Sequence, residues 1–175
     1  MSNPMSQAII DRRSIRAYRP DPITDEQVEA LVQAALASPS ASNHQPWHFT
    51  FVRDTALLDD ISRDALATLG RDPAFHVFYH APLVVFIAAD TTRKWGVLDS
   101  GIAVQTLALA AHDMGLGSVI VGMVDSAFNK PDSQALEQKL GFPADHRFAV
   151  SIAIGHPAAD KPAHEIHPDR VTRID

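Results

Sequence analysis

An α+β fold is what this sequence of 175 residues predicts, on three observations. Apolar residues recur at helical spacing in several stretches, and short apolar runs of strand length lie between them. The two kinds of element alternate, but without the regular strand–helix–strand spacing of a doubly wound parallel sheet. The expectation is one domain over residues 1–175, with a central mixed sheet of four or more strands flanked by helices.

The elements justify that reading in order. Pro4 to Asp11 reads as a short opening helix that delivers Arg12, Arg13, Arg16 and Arg19 just past its end. Thr24 and Gln27 have the spacing of a capping box, and behind them Val28, Leu31, Val32, Ala35 and Leu36 follow an amphipathic rhythm. Pro39 ends that helix and opens a polar loop, SPSASNHQPW. Residues 48–53, HFTFVR, are aromatic and β-branched and read as a strand. Asp54 to Leu69 reads as a helix with Leu57, Leu58, Ile61, Ala65 and Leu66 inward and Gly70 as its C-terminal cap.

Residues 82–89, PLVVFIAA, form a continuous apolar run, the pattern of a strand buried on both faces. Residues 97–114 are apolar nearly all round, which places a helix at the protein centre or at a subunit interface. Gly115 and Gly117 stop it, and SVIVGMV follows as a strand. Pro131 to Leu140 reads as a short helix capped by Gly141, and Phe148 to Ile154 as a fourth strand. From His156 onward the chain is polar and holds three prolines, the composition of an extended tail that needs another surface to lie on.

Bulk properties narrow the function. A formal charge of -6 argues against a general nucleic-acid binder, which needs excess cation to displace counterions. The absence of cysteine excludes disulfides, thiolate metal sites, iron–sulfur clusters and a cysteine nucleophile. The opening MSNPMSQAIIDRRS lacks the apolar core of a signal peptide, and no apolar run approaches the roughly 20 residues of a membrane span. A soluble, cytoplasmic protein is expected.

Two constellations carry chemistry. In RRSIRAY, arginine forks and a serine hydroxyl match the geometry of a phosphate, and Arg12, Ser14 and Arg16 would share one face of an extended segment. Composition alone also allows a solvated basic stretch there. In SPSASNHQPWHF, Asn43 and Gln45 supply directional amides able to read a heteroaromatic edge. By composition alone this is a turn-rich loop with a buried Trp47.

In order and spacing the chain resembles the nitroreductase family of FMN proteins. The resemblance rests on R-x-S-x-R after an opening helix, SP-x-x-x-N-x-QPWHF, the apolar helix followed by MGLGSVIVGMV, and GHP after the last strand. It implies that Arg12, Arg13 and Ser14 lie near the flavin phosphate and Arg16 near flavin N1 and O2. It implies that Pro39, Ser40, Asn43 and Gln45 reach the flavin of the partner subunit, with the tail lying on that partner. Backbone at Val121, Gly122 and Met123 is expected beside the flavin, with an N–H aimed at N5, and Lys161 in KPAHEI at the phosphate. Three departures stand out: the Asn or Lys that relatives often carry just before the second strand has no match in DPAFHVFYHAP, Met123 stands where many relatives have glycine, and Lys161 stands in place of arginine.

The activity so implied is electron transfer from NAD(P)H through bound FMN to a small organic acceptor such as a nitroaromatic or quinone, by alternating binding, in a homodimer. Hydride transfer belongs to the flavin, and the protein supplies position and electrostatics. A cation at Arg16 would stabilise the charge of the reduced ring, and no side-chain nucleophile is needed. GLGSVI has two of the three glycines of a dinucleotide fingerprint and lies in helix-to-strand order, which rejects a Rossmann site.

Three other functions compete. His76 with His80, or His156 with His164 and His167, could hold a metal, but neither group shows an HExxH core and the expectation is no metal. A slowly turning-over FMN storage protein is the second. The third is a dehalogenase or flavin-destroying enzyme on the same scaffold, disfavoured by the lack of room for an inserted lid.

Overall fold

Seven successive residues that exclude water, 83–89, define the centre of this molecule. The computed structural model describes residues 4–174, with helices α1 (Pro4–Asp11), α2 (Asp25–Leu36), α3 (Thr55–Leu69), α4 (Gly96–Asp113), α5 (Asp125–Phe128) and α6 (Ser133–Lys139). The strands are β1 (Trp47–Val52), β2 (Leu83–Asp90), β3 (Gly117–Val121) and β4 (His146–Gly155), in the spatial order β1-β2-β4-β3. The expected mixed sheet is antiparallel in each of these strand pairs. Among the described residues its parallel component is a single bridge between Ser14 and Ser118 on the outer edge of β3.

Side-chain alternation along β2 divides the core in two. Val84, Phe86 and Ala88 face Leu58, Ile61, Ala65 and Leu66 of α3 and Phe128 of α5. Leu83, Val85 and Ile87 face Leu31 and Ala35 of α2 and Ala103, Val104, Leu107, Ala108 and Ala111 of α4. Helices therefore cover both faces, which is why β2 reads as an unbroken apolar run rather than an alternating one.

Local signals set the boundaries. Thr24 accepts from the Gln27 N–H while the Gln27 side chain accepts from the Thr24 N–H, the reciprocal cap expected from the sequence. Asp54 caps α3, and Gly70 closes it with a left-handed φ of 60°. SVIVGMV stops short of the expected strand, because β3 ends at Val121 and the chain turns at Gly122 into α5. That helix was not foreseen. The expected 131–140 helix shortens to Ser133–Lys139.

α4 buries only one flank. Val97 and Leu98 remain 69% and 58% exposed, and with Pro39, Ile102, Gln105 and Leu109 they line an open groove. Among the described residues no helix is long and apolar enough to cross a membrane.

Candidate functional site

The arginine segment is laid across the end of the sheet by two glycines. Ile15 donates its N–H to the Ser118 carbonyl at 2.9 Å, and a side chain at Gly117 would stand 3.0 Å from the Ile15 Cβ. At the next strand, a Cβ on Gly155 would meet Pro82 at 2.7 Å and the Tyr18 ring at 2.8 Å. Tyr18 fixes the far end, its hydroxyl donating to the Ile15 carbonyl at 2.7 Å and reaching the Ala153 carbonyl at 3.2 Å. Burial pushes the Tyr18 phenol well above its ordinary range, so it stays a neutral donor.

Arg12 and Arg13 converge on a cavity of about 410 Å³ at the C-terminal end of α4. Lys161 from the tail, His112, and backbone from Gly115 to Ser118 complete much of the wall, and Asp11 and Asp160 also line it. Arg13 is held by the carbonyls of Ile10 at 2.6 Å and Arg12 at 3.0 Å. The Arg12 Nε is buried and has no hydrogen-bond partner among the described residues. A buried guanidinium N–H without an acceptor is costly, and an anion in the cavity would satisfy it.

The three alternating residues expected on one face, Arg12, Ser14 and Arg16, have different surroundings. Neighbouring Arg12 and Arg13 share the cavity, Ser14 makes the bridge to Ser118, and Arg16 stands apart over the Tyr79 ring, its Cζ 6.0 Å from the centroid. The segment therefore runs from the α4 side of the sheet to the α3 side. It offers cations at both ends of an extended stretch, roughly 10 Å from Arg13 to Arg16 at extended-chain spacing.

The same edge of β3 continues past Ser118. In an antiparallel strand alternate residues turn their N–H and C=O to the same side, so Ser118 and Ile120 present theirs outward, along the line of the arginine segment, whereas the Gly122 carbonyl, past the end of β3, accepts from the Asp125 N–H at 3.0 Å. The Val121 carbonyl is taken by the Ser151 hydroxyl at 2.9 Å. At Gly122 a Cβ would meet nothing within 4 Å, so open space adjoins that backbone.

The second constellation lies elsewhere. Ser40 Oγ accepts from the Gln45 N–H at 2.9 Å, and the Gln45 amide donates to the Asn43 side chain at 3.0 Å. Ser42, Asn43 and Gln45 take left-handed φ values of 52°, 55° and 49°, which tightens the loop. Asp99, buried in the first turn of α4, accepts from the Ala41 N–H at 3.1 Å and pins the loop to the helix N-terminus. Pro39 and Ser40 line a cavity there with Trp95, Leu98 and Ile102. Sequence reasoning missed Asp99 and Trp95. Their signal was an acid inside an apolar helix and an aromatic at its start.

Asp59, His76 and His80 stand close together, their ligand atoms within 4.8 Å of one another. The His76 Nδ1 accepts from the N–H groups of Phe78 and His80, both at 3.2 Å. That leaves the ring proton on Nε2, 3.1 Å from Asp59, where a cation would have to displace it. His156 and Lys161 fall at the start of the tail, and 157–174 is exposed throughout.

The Nitroreductase family model matches residues 9–156. A protein of Archaeoglobus fulgidus, provisionally named an NADH dehydrogenase/NAD(P)H nitroreductase, is 33% identical, with 94% of each chain covered. A 5,6-dimethylbenzimidazole synthase of Rhodospirillum rubrum is 30% identical over 89% of this chain and 82% of its own. The crystal structure of an FMN-bound nitroreductase from Desulfitobacterium hafniense superposes with a TM-score of 0.92 at 29% identity, covering 100% of both chains.

Proposed function

This chain belongs to the nitroreductase family, and from that premise we propose that it is an FMN-dependent oxidoreductase passing electrons from NAD(P)H to a small organic acceptor. The observation that carries the reading is the cavity where Arg12, Arg13 and Lys161 converge on an unmet buried N–H. Its size and donor set fit a phosphate. From there the segment leads to Arg16, which places a cation at the far end of an elongated anionic ligand. The open space beside Gly122 leaves room for a flat ring at the end of the β3 edge.

When bound, FMN supplies the hydride chemistry. The chain's own groups hold the phosphate at Arg12, Arg13 and Lys161, and Arg16 offsets negative charge at the pyrimidine end. The N–H groups at Gly122 and Met123 orient the ring edge. Donor and acceptor then use one open face in turn.

The working unit in this reading is a homodimer. Within one protomer the arginine cavity sits at the C-terminal end of α4 and the Asn43–Gln45 loop at its N-terminal end. From Asp99 to His112 the helix spans roughly 20 Å at 1.5 Å per residue. Packing two copies of α4 antiparallel about a twofold axis covers the apolar groove and brings the loop of one copy to the cavity of the other.

The test is to purify the protein, identify the released flavin, and follow NADH and NADPH oxidation with quinone and nitroaromatic acceptors. Expected are FMN and an acceptor-dependent rate. Bound FMN without such a rate would favour a storage protein, and loss of flavin during turnover would favour a flavin-consuming reaction. Full FMN retention by a monomer in light scattering would sink the dimer.

A further inference from the structure

Two bulky residues in succession adopt backbone that L side chains rarely take. Tyr79 and His80 have φ values of 55° and 54°, in the left-handed region that favours glycine and asparagine. Strain of this kind persists only where its surroundings over-determine it, and it clusters at functional sites.

The surroundings here are specific. From Val77 to Ala81 every N–H has an acceptor. Val77 donates to the buried Ser62 hydroxyl at 3.0 Å, Phe78 and His80 donate to the His76 ring, Tyr79 to the His76 carbonyl at 2.9 Å, and Ala81 to the Phe78 carbonyl at 3.1 Å. His76 is tied in turn to Asp59 of α3, and its ring lies 4.1 Å from that of His80. This histidine clasp forces the turn.

The turn delivers the Tyr79 ring. Phe75 meets that ring edge-on at 5.5 Å, and its face receives Arg16. Arg16 has little else to hold it, a long 3.4 Å contact to the Ser14 carbonyl and no ion pair among the described residues. An aromatic face attracts a guanidinium and fixes its plane.

We propose that Tyr79, held by the His76 clasp, is a positioning residue that orients the Arg16 guanidinium toward the flavin. The inference rests on the reading of Arg16 given above, and the variants separate the two. Tyr79→Asn removes the ring but suits the left-handed backbone, Tyr79→Phe keeps the ring, and Arg16→Ala removes the cation. FMN affinity is read by titrating apoprotein and following flavin fluorescence, with the urea midpoint measured for each variant.

Expected are a roughly fivefold loss of affinity in Tyr79→Asn, wild-type affinity in Tyr79→Phe, and no further loss when Tyr79→Asn is added to Arg16→Ala. Loss from general loosening would instead persist in the Arg16→Ala background. Wild-type affinity in Tyr79→Asn beside a weakened Arg16→Ala overturns the positioning role alone. Unchanged FMN affinity in Arg16→Ala overturns the reading of Arg16 and the inference with it. Should Tyr79→Asn fail to fold, Tyr79→Gly relieves the backbone further and is read the same way.

Discussion

Arg12→Ala should weaken FMN binding while leaving the empty protein at least as stable. The Arg12 Nε is buried and unpartnered beside a cavity of about 410 Å³. A charge-assisted hydrogen bond to an anion contributes about 1.5–3 kcal/mol, so its loss lowers affinity roughly 10- to 150-fold at about 1.4 kcal/mol per decade. In the free protein the same N–H carries an unmet desolvation cost of about 1–3 kcal/mol. Its removal offsets the packing lost with the side-chain stem. The apoprotein Tm should therefore hold or rise, by about 2–4 °C for each kcal/mol gained in a chain of this size. Titrating apoprotein in parallel with FMN and riboflavin isolates the phosphate. FMN affinity should fall in the variant while riboflavin affinity changes little. Equal losses for the two flavins, or none for FMN, would refute the assignment of this cavity.

Two further outcomes follow from local geometry. In Gly117→Ala the new methyl stands 3.0 Å from the Ile15 Cβ, so the arginine segment must shift, at about 1–3 kcal/mol. The urea midpoint and FMN affinity should fall together, and an unchanged midpoint would show that the contact is slack. For pH, burial holds His76 and His48 below the usual 6.5, with His80 and His146 respectively adding to the effect, while Asp59 opposes it at His76. The unfolded chain then binds protons that the folded chain refuses, so this stability is fully present above about pH 6.5 and is lost as pH falls through the lower folded values. Thermal unfolding from pH 7.5 down to 5 should show that decline. A smaller decline in His76→Asn would confirm the contribution of His76, and an identical one would remove it.

Much of the fold was legible because its signals are local. The Thr24–Gln27 box, the Gly70 cap and the apolar run of β2 each depend on a few neighbouring residues, and each appears where expected, while Asp54, read as the first residue of its helix, stands one place outside it as the cap. α5 was not legible. Four residues carry no periodicity, and Phe128 is fixed by stacking on Phe148 at 4.3 Å and Phe142 at 6.0 Å, partners distant in sequence. The arginines were legible as a candidate anion site by type and order, but not which of them would line one cavity. A parallel bridge to Ser118 and two bare glycines decide that, and neither is a local property. The Tyr79–His80 turn was hidden for a related reason, since nothing in its residue types announces left-handed backbone.

α4 carries half of a site at each end, and under the proposed twofold arrangement this has a genetic consequence. A chain damaged only at Arg12 and a chain damaged only at Asn43 each assemble into pairs with two broken sites. Mixed pairs combine one doubly broken site with one wholly intact site. Two inactive alleles of this protein would then complement one another in the same cell, to no more than a quarter of the full complement of sites when the chains mix at random.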